Sequence, residues 1–302
     1  MQNSENKVKR IQKFLKVYIE ITNVCNLRCS FCPEPKKEKR FISVEEFENI
    51  IEKICDYTDL VCFHIKGEPL LNQNLDKFLN ICEKYHLKVN ITTNGLLIEK
   101  WIDVFKKSNS LRQLNISLHS VEQNENIDEE KYLNYIFENV ENIRESSDII
   151  ISYRLWNLNS LENNKMNKKI LNEIEKFYKI KKIEKRARKE KFIELESNVF
   201  LNQDYRFVWP DINGKIINEK GKCYGLRNQL GILSDGTIVP CCLDSNGDIP
   251  LGNIFEIDSL EEVINSKRSI NLVDGFKKCE LRENLCKTCG FIKRFEVEEK
   301  KK

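Results

Sequence analysis

Three cysteines near the start of the chain, in the segment CNLRCSFC, are spaced so that their thiolates could share one metal centre: Cys25, Cys29 and Cys32 form a C-x3-C-x2-C pattern. In a reducing compartment clustered thiols are better explained as metal ligands than as disulfides, and iron-sulfur clusters usually take four thiolates. With three in the loop, one iron would lack a protein ligand and stay open to a small chelating molecule. A ferredoxin-like carrier would show a fourth cysteine in a tight series, and none follows Cys32 locally. A zinc site prefers paired C-x2-C units, whereas this spacing is asymmetric. A second group, Cys223, Cys241, Cys242, Cys279, Cys286 and Cys289, crowds the last third of the chain. The remaining three of the 12 cysteines, Cys55, Cys62 and Cys82, sit in apolar patterns where a free thiol packs as a small hydrophobe.

The elements that must position these residues alternate. Residues 16–22 read as a strand, and the cysteine loop leads to a helix whose start is marked by Ser43 with Glu46 three residues on, a capping box. Strands follow at 60–66, 87–93, 112–118 and 149–156, separated by helices at 75–85, 96–107 and 129–145 and followed by one at 165–178. Repeated βα units imply parallel strands with helices outside, an α/β fold forming a partial (β/α)6 TIM-type barrel. Chemistry in such barrels gathers at the C-terminal ends of the strands, which here carry CNLRCSFC, KGEPLL, TTNG, SLHS and RLWN. His64 lies two residues before Lys66, so the two face the same side; His64 and His119 read as structural histidines open to a substrate role, and His86 as structural.

The domain layout expected is an N-terminal arm over 1–15, a core barrel over 16–190, a connecting segment over 191–222, a cysteine-rich unit over 223–290 and a charged tail over 291–302. The basic run 179–191 reads as a solvated linker or helix face, since no aromatics interleave with its charges. Beyond Cys223 the flanks of Asp235-Gly236 signal a type I′ hairpin, with a short helix over 259–266. Such a small segment has little core of its own and calls for a metal to hold it.

Composition limits the function classes. The chain has 302 residues with 40% hydrophobic content, and 50 basic against 47 acidic residues leave a net charge of only +3. A globular chain with a proper core follows, and no whole-molecule field draws it toward nucleic acid, so a nucleic-acid partner is not expected. No apolar run approaches the roughly 20 residues of a membrane span, and the first sixteen residues lack a secretory core, so a cytoplasmic protein without a membrane partner is expected.

At CNLRCSFC the chain resembles the radical S-adenosylmethionine superfamily, with Phe31 as the aromatic before the third cysteine. The resemblance implies a [4Fe-4S] cluster with three cysteine ligands whose open iron takes the amino and carboxylate groups of S-adenosylmethionine, and it places Phe31 near the adenine. Gly67-Glu68-Pro69 resembles the family motif that receives the cofactor's amino group, for which a carboxylate is a strong acceptor. Thr93, Asn94 and Ser117 match positions that contact the ribose or the carboxylate, and Arg154 could pair with that carboxylate. The block from Cys223 to Gly290 resembles the SPASM extension, or its shortened twitch form. The matching residues are Cys223, Gly236 followed by TIVP and Cys241, and the pair Cys286 and Cys289. That match implies one fully ligated auxiliary [4Fe-4S] cluster, leaves Cys242 and Cys279 as alternatives, and leaves zinc as the competing occupant.

The resemblance implies reductive cleavage of S-adenosylmethionine, an electron donor of flavodoxin or ferredoxin type, and an unidentified small-molecule or peptide substrate. Oxidation is the leading expectation, following the twitch-bearing dehydrogenase of 2-deoxy-scyllo-inosamine. Asp244, just beyond the hairpin cysteines, is a candidate base. Peptide maturation comes second, because only about fifteen residues precede the first strand and a leader would need a separate partner. Kinship to molybdopterin precursor synthase ranks lower, since that enzyme ends in Gly-Gly and this chain in lysines. A different class is a non-catalytic iron-sulfur or zinc protein that binds a partner through the basic run 181–191.

Overall fold

The computed structural model describes residues 13–122, 124, 127–158 and 165–295. Most of the N-terminal arm and the end of the charged tail lie outside the described residues. In chain order the first half runs β1 (Lys16–Ile19), α1 (Val44–Ile54), β2 (Leu60–Phe63), α2 (Leu75–Lys84), β3 (Lys88–Thr93), α3 (Ile102–Lys107), β4 (Leu111–Ser117), α4 (Glu129–Arg144) and β5 (Ile150–Leu158). The chain continues through α5 (Lys165–Phe177), α6 (Ile183–Ala187), β6 (Phe192–Glu196), β7 (Val199–Tyr205), β8 (Gln229–Ile232), β9 (Thr237–Val239), β10 (Gly252–Asn253), α7 (Leu260–Ile264), α8 (Lys267–Lys277) and α9 (Asn284–Lys287).

Among the described residues, ten strands join one open sheet in the order β10-β9-β8-β1-β2-β3-β4-β5-β7-β6. Strands β1 to β5 and β7 are parallel neighbours, the six strands of a partial barrel. The sixth lies within 191–222, the stretch read above as a connecting segment. Its pattern is short, and an antiparallel partner, β6, separates it from the helices before it, so the βα alternation that marks the other strands is broken there.

Helix α1 illustrates why the outer layer forms. Ser43 and Glu46 close the expected capping box, Glu45 and Glu46 sit at the positive end and Lys53 at the negative end, and Phe47, Ile50, Ile51 and Ile54 bury one face. Phe47 stacks on Phe78 at 4.3 Å and meets Phe63 edge-on at 5.4 Å. Alternation along β1 sends Val17, Ile19 and Ile21 into this core and Tyr18 and Glu20 to the concave face.

The C-terminal segment departs from expectation in two ways. Strand β8 pairs in parallel with β1, from Lys16 opposite Gln229 to Ile19 opposite Ile232. Residues Leu226, Leu230, Ile232, Leu260, Leu272 and Phe276 belong to the same apolar core as the barrel. The segment therefore has a share in a large core rather than a small one of its own. The hairpin forms where expected, but its turn is not type I′: Gly236 N–H donates to the Leu233 carbonyl and Gly236 alone takes a left-handed φ of +85°. That is a type I turn closed by a left-handed glycine. Helix α8 was not foreseen.

The basic run 179–191 carries α6, and three of its eight basic side chains sit in ion pairs: Arg186 with Glu190, Arg188 with Glu184 and Lys191 with Asp204. Among the described residues no helix is long and apolar enough to cross a membrane. Replacing Phe47 with Ala should cost about 3–5 kcal/mol, as deletion of a buried ring does. Urea unfolding of both proteins measures it, and a loss below about 1 kcal/mol would show that this face does not hold the helix layer.

Candidate active site at the strand ends

The loop after β1 brings Cys25, Cys29 and Cys32 to one end of the sheet. Cys32 N–H donates to the Cys29 carbonyl at 3.0 Å, curling the segment into a turn that keeps the three thiols in one loop. Burial pushes the Cys29 thiol up to about 11, and the neighbouring sulfurs of Cys32 and Cys25 add to it. Three thiols that oppose one another's ionisation are what a bound cation would reverse. Leu27 N–H points at Cys25 Sγ at 3.4 Å, and Asn124 Nδ2 lies 3.9 Å from Cys29 Sγ. Both are sulfur-directed donors of the kind that tune a cluster.

Glu68 is the hub beneath this loop. Only 2% exposed, it accepts Thr93 Oγ1–H at 2.6 Å, Asn94 N–H at 2.8 Å and Leu70 N–H at 3.1 Å. Asn94 then donates through Nδ2 to Asn26 Oδ1 at 2.8 Å, and its carbonyl accepts the Tyr132 hydroxyl at 2.6 Å. Glu68, Thr93 and Asn94 thus form one network that locks the ends of β2 and β3 to the cysteine loop. Gly67 makes the approach feasible. Its φ is +75°, and a Cβ there would lie 2.2 Å from the Thr22 carbonyl oxygen. Pro69 opens a short 3-10 turn capped by Glu68.

Arg154 and Ser117 are register partners across β4 and β5. Arg154 donates to Thr92 Oγ1 at 3.1 Å and lies over Trp156 at 4.5 Å, and its buried Nε finds no hydrogen-bond partner among the described residues. Phe31 packs on His119 at 4.8 Å. His119 Nδ1 lies 3.0 Å from the Arg154 carbonyl, which can only accept, so the neutral ring carries its proton there. Burial lowers His119 to about 4. His64 departs from the satisfied structural reading, since its Nδ1 is buried without a partner among the described residues. His86 ends α2's turn at a left-handed φ of 57° and is structural.

The second cysteine group separates cleanly. Cys223, Cys241, Cys286 and Cys289 line one cavity with Pro210, Phe276 and Phe291. Burial raises the Cys241 thiol well above its ordinary value, and Cys223, Cys289 and Cys286 are among the sulfurs that add to it. Cys242 turns away to the Tyr18 side, packing with Cys62, Ile65, Leu233 and Val239. Cys279 sits at a left-handed φ of 60° and lines none of this cavity. Asp244 borders the cavity, but its carboxylate accepts Asp248 N–H at 2.7 Å and Ile249 N–H at 2.8 Å, so its lone pairs organise the loop. Burial raises it to about 6.

Among the described residues no three His, Cys, Asp or Glu side chains converge closely enough for a single metal ion. A four-iron cluster is several atoms across and takes thiolates spread around it; Cys223, Cys241, Cys286 and Cys289 line one cavity, and Cys25, Cys29 and Cys32 lie near one another in a single loop. Sequence reasoning missed Asn26, Asn124 and Tyr132. Asn26 stood beside Cys25 in the motif, whereas the others come from elements whose approach depends on the folded sheet.

Residues 19–160 match the model of the radical SAM superfamily, and residues 223–290 match that of an iron-sulfur cluster-binding domain, SPASM. The chain is 30% identical over 129 residues to GTP 3′,8-cyclase of Aquifex aeolicus, covering 40% of this chain and 39% of that one. It is 28% identical over 142 residues to GTP 3′,8-cyclase of Clostridium botulinum strain Hall, covering 44% of each. The chain thus spans under half the length of these curated relatives. Among solved structures, BtrN in complex with AdoMet and 2-DOIA superposes with a TM-score of 0.58 at 18% identity, over 93% of this chain and 94% of that one. Streptococcus suis SuiB bound to S-adenosylmethionine gives 0.61 at 17% identity, over 92% and 72%.

Burial outweighs the three donors on Glu68 and raises it from 4.5 to about 7. The folded metal-free chain then holds that proton more tightly than the unfolded one, so the contribution is full below about pH 4.5 and is lost as pH rises through about 7. Against Glu68→Gln, the wild type should lose roughly 3 kcal/mol across that window. Urea midpoints of both proteins at pH 4.5, 6 and 8 read it, and parallel curves would contradict it.

Proposed function

Because the chain belongs to the radical SAM superfamily and carries a SPASM domain, we propose that it cleaves S-adenosylmethionine reductively and uses the resulting radical to oxidise a small polar substrate. The observation that carries this reading is the set of three neighbouring thiols, Cys25, Cys29 and Cys32, in the loop tied to the Glu68 network at the strand ends. A [4Fe-4S] cluster held by these three cysteines would supply the electron for reductive cleavage of S-adenosylmethionine to methionine and a 5′-deoxyadenosyl radical, the species that would take a hydrogen atom from substrate.

The chain's residues hold and orient. Cys25, Cys29 and Cys32 would ligate the cluster. Glu68 fixes Thr93 and Asn94, and it keeps one carboxylate lone pair for the cofactor's amino group after three donors are counted against about four acceptor sites. Arg154, with a buried Nε still to be satisfied, suits an incoming carboxylate. Ser117 flanks it for the ribose, and Phe31 on His119 offers an apolar plate for the adenine.

Cys223, Cys241, Cys286 and Cys289 would hold a fully ligated auxiliary cluster, a sink for the second electron of an oxidation. The concave face favours a polar substrate, since Glu20 Oε1, His64 Nδ1 and Asn90 Oδ1 are buried there without partners among the described residues. Peptide modification is a second reading: SuiB also superposes when bound to its precursor peptide SuiA, with a TM-score of 0.58. A flavodoxin- or ferredoxin-type donor and a cytoplasmic setting fit a chain that must be reduced at low potential. Arg186, Arg188 and Lys191 of the basic run 181–191 are already engaged in ion pairs, which lowers the charge it offers a partner.

Two variants test the assignment anaerobically after reconstitution with iron and sulfide. Cys29→Ala should abolish 5′-deoxyadenosine formation, a loss of at least about a hundredfold, whereas Cys223→Ala should retain it while losing about four irons. Continued cleavage by Cys29→Ala would remove the proposal.

A further inference from the structure

Lys66 stands between the two cysteine sites without belonging to either. It is only 5% exposed, and its ammonium donates to the Glu34 carbonyl at 3.1 Å and to Asn246 Oδ1 at 2.7 Å. Both acceptors are neutral. Glu34 is two residues beyond Cys32 in the first cysteine loop, and Asn246 lies in the loop that follows the hairpin cysteines. Burial pulls the Lys66 pKa down, and the leading opposing influence is the Cys32 sulfur, ahead of Glu20.

A buried ammonium held by neutral oxygens needs a nearby negative charge to be tolerated. Glu20 is a weak candidate: its carboxylate is itself buried and takes both Ser234 N–H and Oγ–H on one oxygen, while burial raises its pKa; Asp248 acts on Lys66 less than the Cys32 sulfur or Glu20, and less than the opposing Lys36. Three thiolates around a four-iron core carry net negative charge, and reduction adds one more. We infer that Lys66 is the electrostatic counterpart of the cluster on Cys25, Cys29 and Cys32, and that it is a positioning residue that raises that cluster's reduction potential. The inference rests on the assignment of those cysteines as cluster ligands.

The same ammonium is aimed from the far side by Asn246. Nearby contacts hold the two loops together: Lys37 pairs with Asp235 and donates to Thr237 Oγ1 at 2.9 Å, and Ser234 caps Glu20. The charge that favours reduction is therefore held in place by the C-terminal segment, and the potential of the first site depends on how that segment docks.

The test is an EPR-monitored redox titration of the full reconstituted chain, with the signal of the first site identified by its loss in Cys29→Ala. Lys66→Met should lower the midpoint by at least about 59 mV, a tenfold fall in the reduced-to-oxidised ratio at fixed poise, and Lys66→Arg should stay close to wild type. If Lys66→Met fails to take up iron, Lys66→Gln is titrated in its place with the same expectation. An unshifted midpoint in the charge-removing variant, or an equal shift in Lys66→Arg, would overturn the inference. Absence of any signal that depends on Cys29 would instead overturn the cluster assignment.

Discussion

Strand β8 hydrogen-bonds beside β1 in parallel register, Tyr18 opposite Gly231 and Ile19 opposite Ile232, and through that pairing two cysteine groups from opposite ends of the chain come to share one sheet. The loop leaving β1 carries Cys25, Cys29 and Cys32, and the hairpin that begins with β8 delivers Cys241. Gly231 permits the fit: a Cβ there would lie 2.8 Å from Val239 Cγ2 and 3.2 Å from Ile65 Cδ1. Backbone pairing at the centre of a sheet is a stiff constraint, because slipping it by one residue would turn every side chain of the strand to the other face. The geometry between the two sites is thus set by the sheet.

A second layer of constraint is polar and local. Glu68 draws β2 and β3 together, Asn94 passes the link to Asn26 beside Cys25, and Lys66 and Lys37 tie the far side of the cysteine loop to the hairpin. Glu68, Asn94, Lys66 and Lys37 are buried or half-buried, so their bonds cannot be exchanged cheaply for water. Rigid support of this kind is what a site needs if a reacting atom is to be held within a fraction of an ångström.

Much of this was legible in the sequence because it obeys local rules. Ser43 and Glu46 announced α1, the βα alternation announced the parallel strands, and C-x3-C-x2-C marked a three-thiol loop. What escaped depends on long-range packing. Strand β7 was hidden in a stretch without βα alternation, and the type I turn at Ser234 and Asp235 differs from a type I′ turn by backbone angles that the Asp-Gly pair does not determine. The parallel docking of β8 on β1 has no local signature at all. Nor has the split between Cys241 and Cys242: the chain bends there into a turn in which Asp244 N–H donates to the Cys241 carbonyl, and which thiol reaches the cavity follows from the hairpin's seating.

The central claim is that the two cysteine sets hold two separate clusters, and an iron count on the anaerobically reconstituted chain tests it most directly. The account predicts about eight irons per chain, falling to about four when Cys223 and Cys241 are both replaced by Ala. A wild-type count of about four, unchanged by that double replacement, would contradict it.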